Sequence, residues 1–127
     1  MAMRQTRSAV ALWGPPIALM ALIFMLSSLP SDDSDRTFLS LLVRKALHFS
    51  EYALLAALWW RALRTRLDPR AALVWAFSIA VAYAVTDEIH QTFVDTRVGT
   101  PVDVLIDLAG AAAAIALIAR RVERAPA

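Results

Sequence analysis

The chain has 127 residues, 59% of them hydrophobic, with no cysteine and a net charge of +2. A soluble domain averages about 45–50% apolar residues, and the excess here gathers in long uncharged blocks, so an integral membrane protein of one compact unit is the first reading. The missing cysteines exclude disulfides, thiolate metal sites and a cysteine nucleophile, and the arginines flank apolar blocks instead of lining one polar face, which argues against nucleic acid as a partner.

The first block, Ala9 to Leu26, is uncharged over eighteen residues, and about 17–25 are needed to cross a bilayer. Pro15 and Pro16 within it predict a kink or a late helix start. Arg4 and Arg7 resemble the basic start of a signal peptide, but no small-residue cleavage pattern follows in "FMLSSLPSDD", so the segment is expected to stay as a span over 9–26. The polar loop "PSDDSDRT" leads to a second helix from about Phe38 to Leu63, with a span over 40–63. Asp68-Pro69 then provides an N-cap and a first-turn proline for a third helix, with a span over 70–92. The fourth begins at Thr100-Pro101 and spans 101–119. No repeat, low-complexity segment or strand-like alternation appears, so residues 1–127 read as a single domain, an all-α membrane protein with four transmembrane helices.

Orientation follows from lysine and arginine in the short flanks. With four spans, Arg4, Arg7, Arg61, Arg64, Arg66, Arg70, Arg120, Arg121 and Arg124 fall on one side, against Arg36, Arg44, Lys45 and Arg97 on the other. Both termini are therefore expected to be cytoplasmic. The acids sort the opposite way, with only Asp68 and Glu123 on the cytoplasmic side.

The outward ends of three helices carry polar residues that are costly in hydrocarbon. In "RKALHFSEYALL", Lys45, His48 and Tyr52 follow one another at i, i+3, i+7, and Glu51 lies three after His48, which puts all four on one side of a helix. In "TDEIHQTFVDTRV", Asp87, His90 and Gln91 share a face with Glu88 beside them, and at about 1.5 Å per residue Asp87 lies about 27 Å from Pro69, near the outward interface. This end of the segment is expected to meet water or a polar cleft. In "TPVDVLIDLAG", Asp103, Asp107 and Gly110 form a narrow stripe, and Gly110 permits close approach of another helix.

Each feature also has a structural reading. Asp103 fits a capping pattern after Thr100-Pro101. Asp107, one turn deeper, requires a cationic partner or a functional role. His48 and His90 are each ordinary interfacial residues when taken alone, but His48 with Lys45 and Glu51 makes a candidate site. Tyr52, Trp59, Trp60, Trp75 and Tyr83 read as packing or anchoring residues, and Ser27 and Ser28 as hydroxyls that close the first helix or join the site. The acids Glu51, Asp87, Glu88, Asp103 and Asp107 outnumber Lys45, Arg97 and Arg44 at this level, so pairing, protonation or a bound cation must compensate. His and carboxylates are competent ligands for a divalent metal, although no established ligand spacing is present. An internal network with Arg97 clamping carboxylates bidentately is the alternative.

These segments, "KALHFSEYALLAAL" and "YAVTDEIHQTFVDTRVGTPVDVLIDLAG", resemble the VanZ-like family of small bacterial membrane proteins over about residues 45 to 110, and "FMLSSLP" is similar to the end of that family's first span. The family pattern falls on Lys45, His48, Phe49, Tyr52, Asp87, Glu88, Gln91, Phe93, Arg97, Asp103, Asp107 and Gly110, and Glu51 fits a common acidic position. The chain departs from the pattern at Asp95-Thr96, where many members have proline or glycine before the arginine. The resemblance, to a family named for teicoplanin (glycopeptide) resistance, implies a cell-envelope role in a bacterial inner membrane. With the outward polar groups, the leading expectation is a protein that binds or modifies an envelope molecule such as a lipid headgroup or lipid-linked precursor. Lys45, Tyr52, Gln91, Arg97, Asp103 and Asp107 are the candidate binding residues, with His48, Glu51, Asp87 and Glu88 as candidate acid–base groups. Three classes stay open: a binding or accessory protein, an enzyme of acid–base or metal-assisted chemistry, and a proton-coupled transporter.

Overall fold

A computed structural model describes residues 8–30, 37–95, 97 and 99–126. It contains four helices, α1 (Ala9–Ser28), α2 (Phe38–Leu63), α3 (Pro69–Gln91) and α4 (Pro101–Arg124). Arg4, Arg7 and Arg36 of the charge count, most of the "PSDDSDRT" loop and Thr96 lie outside the described residues.

Each helix begins at a side chain that accepts one of the backbone N–H groups left without intrahelical partners. Ser8 accepts from Ala11, Thr37 from Ser40, Asp68 from both Arg70 and Ala71, and Thr100 from Asp103. Pro69 and Pro101 take first-turn positions, where a missing N–H costs nothing. At its far end α4 continues past Ala119 to Arg124. Arginine and glutamate are good helix formers, and Arg121 and Arg124 suit the negative end of the helix dipole.

The expected late start of α1 does not occur: the helix runs from Ala9 through Pro15 and Pro16. Pro15 has no N–H, so the carbonyl four residues earlier, on Ala11, loses its usual donor. Arg61 of α2 donates its guanidinium N–H to that carbonyl. A tertiary contact thus replaces the hydrogen bond that the proline removes.

Helix α2 packs against all three others, most extensively against α4, and among the described residues the backbones of α1 and α4 do not come close. Helices α1, α3 and α4 are long and apolar enough to cross a membrane. The fourth, α2, carries Arg44, Lys45, His48, Glu51 and Arg61 and does not reach that level of hydropathy.

The packing is inverted relative to a soluble bundle. The buried hydrophobic residues are largely alanines, namely Ala56, Ala62, Ala72, Ala76, Ala80, Ala84 and Ala111, joined by Ile23, Tyr52 and Leu55. Large side chains such as Ile17, Phe24, Val74, Trp75, Leu105 and Leu117 point outward. Lipid tails are as apolar as leucine, so association in a bilayer depends on close backbone approach across small residues. Ala72, Ala76, Ala80 and Ala84 recur every fourth residue and form one such ridge along α3.

Candidate functional site

The alanine ridge of α3 does not stop at Ala84. One turn later its stripe continues as Asp87, Glu88 and Gln91, all buried. Of the two expectations for this end of the segment, open water does not apply to these groups, with Asp87 only 4% and Gln91 only 5% exposed. His90 leaves that face and stacks on Phe24 of α1 at a ring separation of 4.4 Å, with its Nε2 3.5 Å from the Ser28 hydroxyl.

Two rungs join α2 to α4. Lys45 Nζ lies 3.5 Å from Asp103 Oδ1, and His48 Nδ1 lies 3.1 Å from Asp107 Oδ1. The spacings i, i+3 on α2 and i, i+4 on α4 bring each pair onto facing turns. The outer rung is half exposed at Lys45, whereas Asp107 is 1% exposed. Asp103 takes part in the cap of α4, accepting a hydrogen bond from the Thr100 hydroxyl at 2.9 Å, while it also pairs with Lys45. One turn deeper, Gly110 meets α2 so closely that a Cβ there would run into the backbone carbonyl of Phe49.

A second connection joins α3 to α1. The Gln91 amide donates to Asp87 Oδ2 at 3.2 Å and to the Ser27 hydroxyl at 3.4 Å. Ser28 instead bonds back to the Phe24 carbonyl, as a hydroxyl that closes a helix does. Deeper still, the Tyr83 hydroxyl of α3 donates to the Met20 carbonyl of α1.

Arg97 departs from expectation. Its guanidinium does not clamp carboxylates in these contacts; it donates from Nε to the Leu29 carbonyl at 2.8 Å and from Nη2 to the Leu26 carbonyl at 2.9 Å. Those carbonyls belong to the last turn and cap of α1, where Leu26 otherwise accepts only the long Leu29 N–H bond of 3.3 Å, and the negative end of the helix dipole favours a cation there. The loop after α3 is thereby fastened to the end of α1.

The chain between α3 and α4 is also held against Glu88. A Cβ on Gly99 would lie 2.7 Å from Glu88 Oε1 and 3.1 Å from its carbonyl oxygen, so only glycine fits without displacement. Among the described residues Tyr52 Oη, Asp87 Oδ1 and Glu88 Oε1 are buried without a hydrogen-bond partner. Such atoms are rare in a folded interior, and they lie in the part of the bundle where α2, α3 and α4 bring their polar residues together.

A scan against family models matches VanZ/LLP1 over residues 12–122. The chain belongs to the VanZ/LLP1 family. No curated protein and no solved structure matches it. The VanZ/LLP1 match runs from the first turn of α1 to the last turn of α4 and includes both inter-helix rungs.

Within this VanZ/LLP1 bundle a cleft of about 370 Å³ opens between α1 and α2. Arg44, His48, Glu51 and Arg97 supply its polar lining, and Ile23, Leu26 and Leu47 its apolar walls. Lys45, Tyr52, Asp87, Glu88, Gln91, Asp103 and Asp107 lie outside that lining. Among the described residues no group of three or more His, Asp and Glu side chains is arranged to hold a metal ion. The sequence reading missed Gly99 and Arg61, although glycine directly before a Thr-Pro cap and an arginine facing a proline-containing helix were the available signals.

Proposed function

We propose that this VanZ/LLP1 membrane protein binds the phosphate-bearing headgroup of a cell-envelope lipid or lipid-linked precursor in the cleft between α1 and α2. On this reading it is one domain of four spans in a bacterial inner membrane, with both termini cytoplasmic and the cleft at the outward face. The positive-inside rule supports that orientation. Helix α2 contacts all three other helices, and two of its charged groups, Lys45 and His48, meet carboxylates of α4.

The cleft itself carries the proposal. It combines the guanidinium side chains of Arg44 and Arg97 with an imidazole and a carboxylate on apolar walls. Arginine suits phosphate, Glu51 accepts a hydrogen bond from a headgroup hydroxyl or amine, and the exposed Leu47 and Met25 nearby suit acyl chains. The test is native mass spectrometry of protein extracted in mild detergent. Wild type should carry a phosphorylated lipid that Arg44→Gln and Glu51→Gln lose. A wild-type protein that arrives bare and takes up no added envelope lipid would sink the reading.

A second reading, chemical modification of that ligand, has its own support in the His48–Asp107 pair. A carboxylate on Nδ1 fixes the ring so that Nε2 serves as the working nitrogen, the arrangement of a general base. His48→Gln should then retain lipid and lose turnover of a lipid-linked precursor, followed as change in headgroup mass. No turnover by wild type would remove the chemical reading and leave the binding one.

A further inference from the structure

At the end of the bundle opposite the cleft, α2 finishes, α3 begins and α4 finishes in one place. A second cavity, of about 770 Å³, opens among these three helix ends. Trp60, Pro69, Ile118 and Val122 wall it, and Arg64 and Arg121 supply its charge. No carboxylate lines it among the described residues. The Arg64 guanidinium lies 4.6 Å from the centroid of the Trp60 ring, so one cation is already held on an aromatic platform.

We propose that this cavity binds the headgroup of an anionic phospholipid of the phosphatidylglycerol type, drawn from the adjacent leaflet. Two guanidinium groups on different helices, with no acid among the lining residues, complement a phosphodiester. The nearby acids are otherwise placed: Asp68 caps α3 through the N–H groups of Arg70 and Ala71, and Glu123 is exposed outside the lining. Arginines at the ends of α2 and α4 also complement the helix dipoles. That role requires neither a cavity nor the Trp60 platform, and Arg124 in the last turn of α4 serves it there. A lipid fits better than a soluble anion because the apolar wall of Ile118 and Val122 adjoins Leu117, which is 61% exposed on the outer surface of α4 and can carry an acyl chain. Basic pockets between helix ends are the kind of site that recognises anionic headgroups.

This site is independent of the cleft at the polar end, and the experiment keeps the two apart. The full chain in mild detergent is given equal amounts of phosphatidylglycerol and phosphatidylcholine, and bound lipid is counted by native mass spectrometry. Wild type should prefer phosphatidylglycerol, and each arginine should be worth about fivefold. Arg64→Gln with Arg121→Gln should bring the preference close to parity. Arg66→Gln with Arg120→Gln removes the same charge outside the cavity lining and should leave the preference in place. Repeating the comparison in the Arg44→Gln background removes the cleft's contribution, and the difference between the two double variants must persist there. Equal loss in both double variants, or no preference in wild type, overturns the proposal. So does complete displacement by millimolar inorganic phosphate, which would assign the cavity to a soluble anion. Should the Arg64, Arg121 double variant fail to fold, Arg121→Gln alone must still lose about fivefold.

Discussion

Helix α3 holds two regions of the bundle on one stripe. Toward Pro69 the stripe is Ala72, Ala76, Ala80 and Ala84, and toward Gln91 it is Asp87, Glu88 and Gln91. In the first region helices meet by lacking side chains, so backbones come close and many positions along the ridge are nearly equivalent. In the second, polar side chains are buried at the meeting of helices, and Gln91 reaches across to the Ser27 hydroxyl of α1. Small-residue packing supplies contact, whereas polar pairing supplies register, because a charged group in a bilayer tolerates few neighbours. Gly110 against Phe49 and His48 against Asp107 show both devices within one helix pair, α2 with α4.

Substitutions rank the two devices. Gly110→Leu should have the largest effect, about 3 kcal/mol or more, because the obstructing atom is a backbone carbonyl that cannot rotate aside. Reversible unfolding in mixed micelles should show it, and a loss under 1 kcal/mol would mean that α2 and α4 are not in close contact there. Asp107→Ala should follow at about 2 kcal/mol, since it leaves the His48 Nδ1 contact unmade at a site with little water. Asp107→Asn should recover part of that loss by keeping an acceptor; equal losses in both variants would show that charge matters and hydrogen bonding does not. Ala80→Leu forces bulk into the ridge and should cost about 1.5 kcal/mol, read by the same unfolding assay. Lys45→Gln should cost less than about 0.5 kcal/mol because the outer rung is half exposed. A larger effect, insensitive to salt, would place Lys45 in a drier setting than its exposure indicates.

Much of the bundle was legible before any coordinates. Hydropathy blocks and the Asp68-Pro69 and Thr100-Pro101 caps marked where helices lie, and helical spacing put Lys45 and His48 on one face of α2 and Asp103 and Asp107 on one face of α4. Spacing within a helix does not say which helix will face it, so the partners Lys45–Asp103 and His48–Asp107 required the tertiary arrangement. Arg97 was legible as a cation beside acids but not as the cap of α1, because its acceptors are carbonyls, which leave no mark in the side-chain sequence. Helix termini create such acceptors regardless of residue type. Pro15 was a place where a backbone group could have been anticipated, since the carbonyl it frees on Ala11 is the one that Arg61 occupies.

The central position of α2 has a consequence for how the chain is made. The Asp107 partner of His48 lies 59 residues further along, which at about 5–20 residues per second of synthesis separates their appearance by several seconds. On the four-span reading, α2 leaves the ribosome with its cationic face complete and both of its carboxylate partners still unsynthesised. Its transfer into the bilayer then becomes a joint event with α3 and α4, and a chain cut short before Thr100 would present the quality-control machinery with a span whose Lys45 and His48 lack their carboxylates.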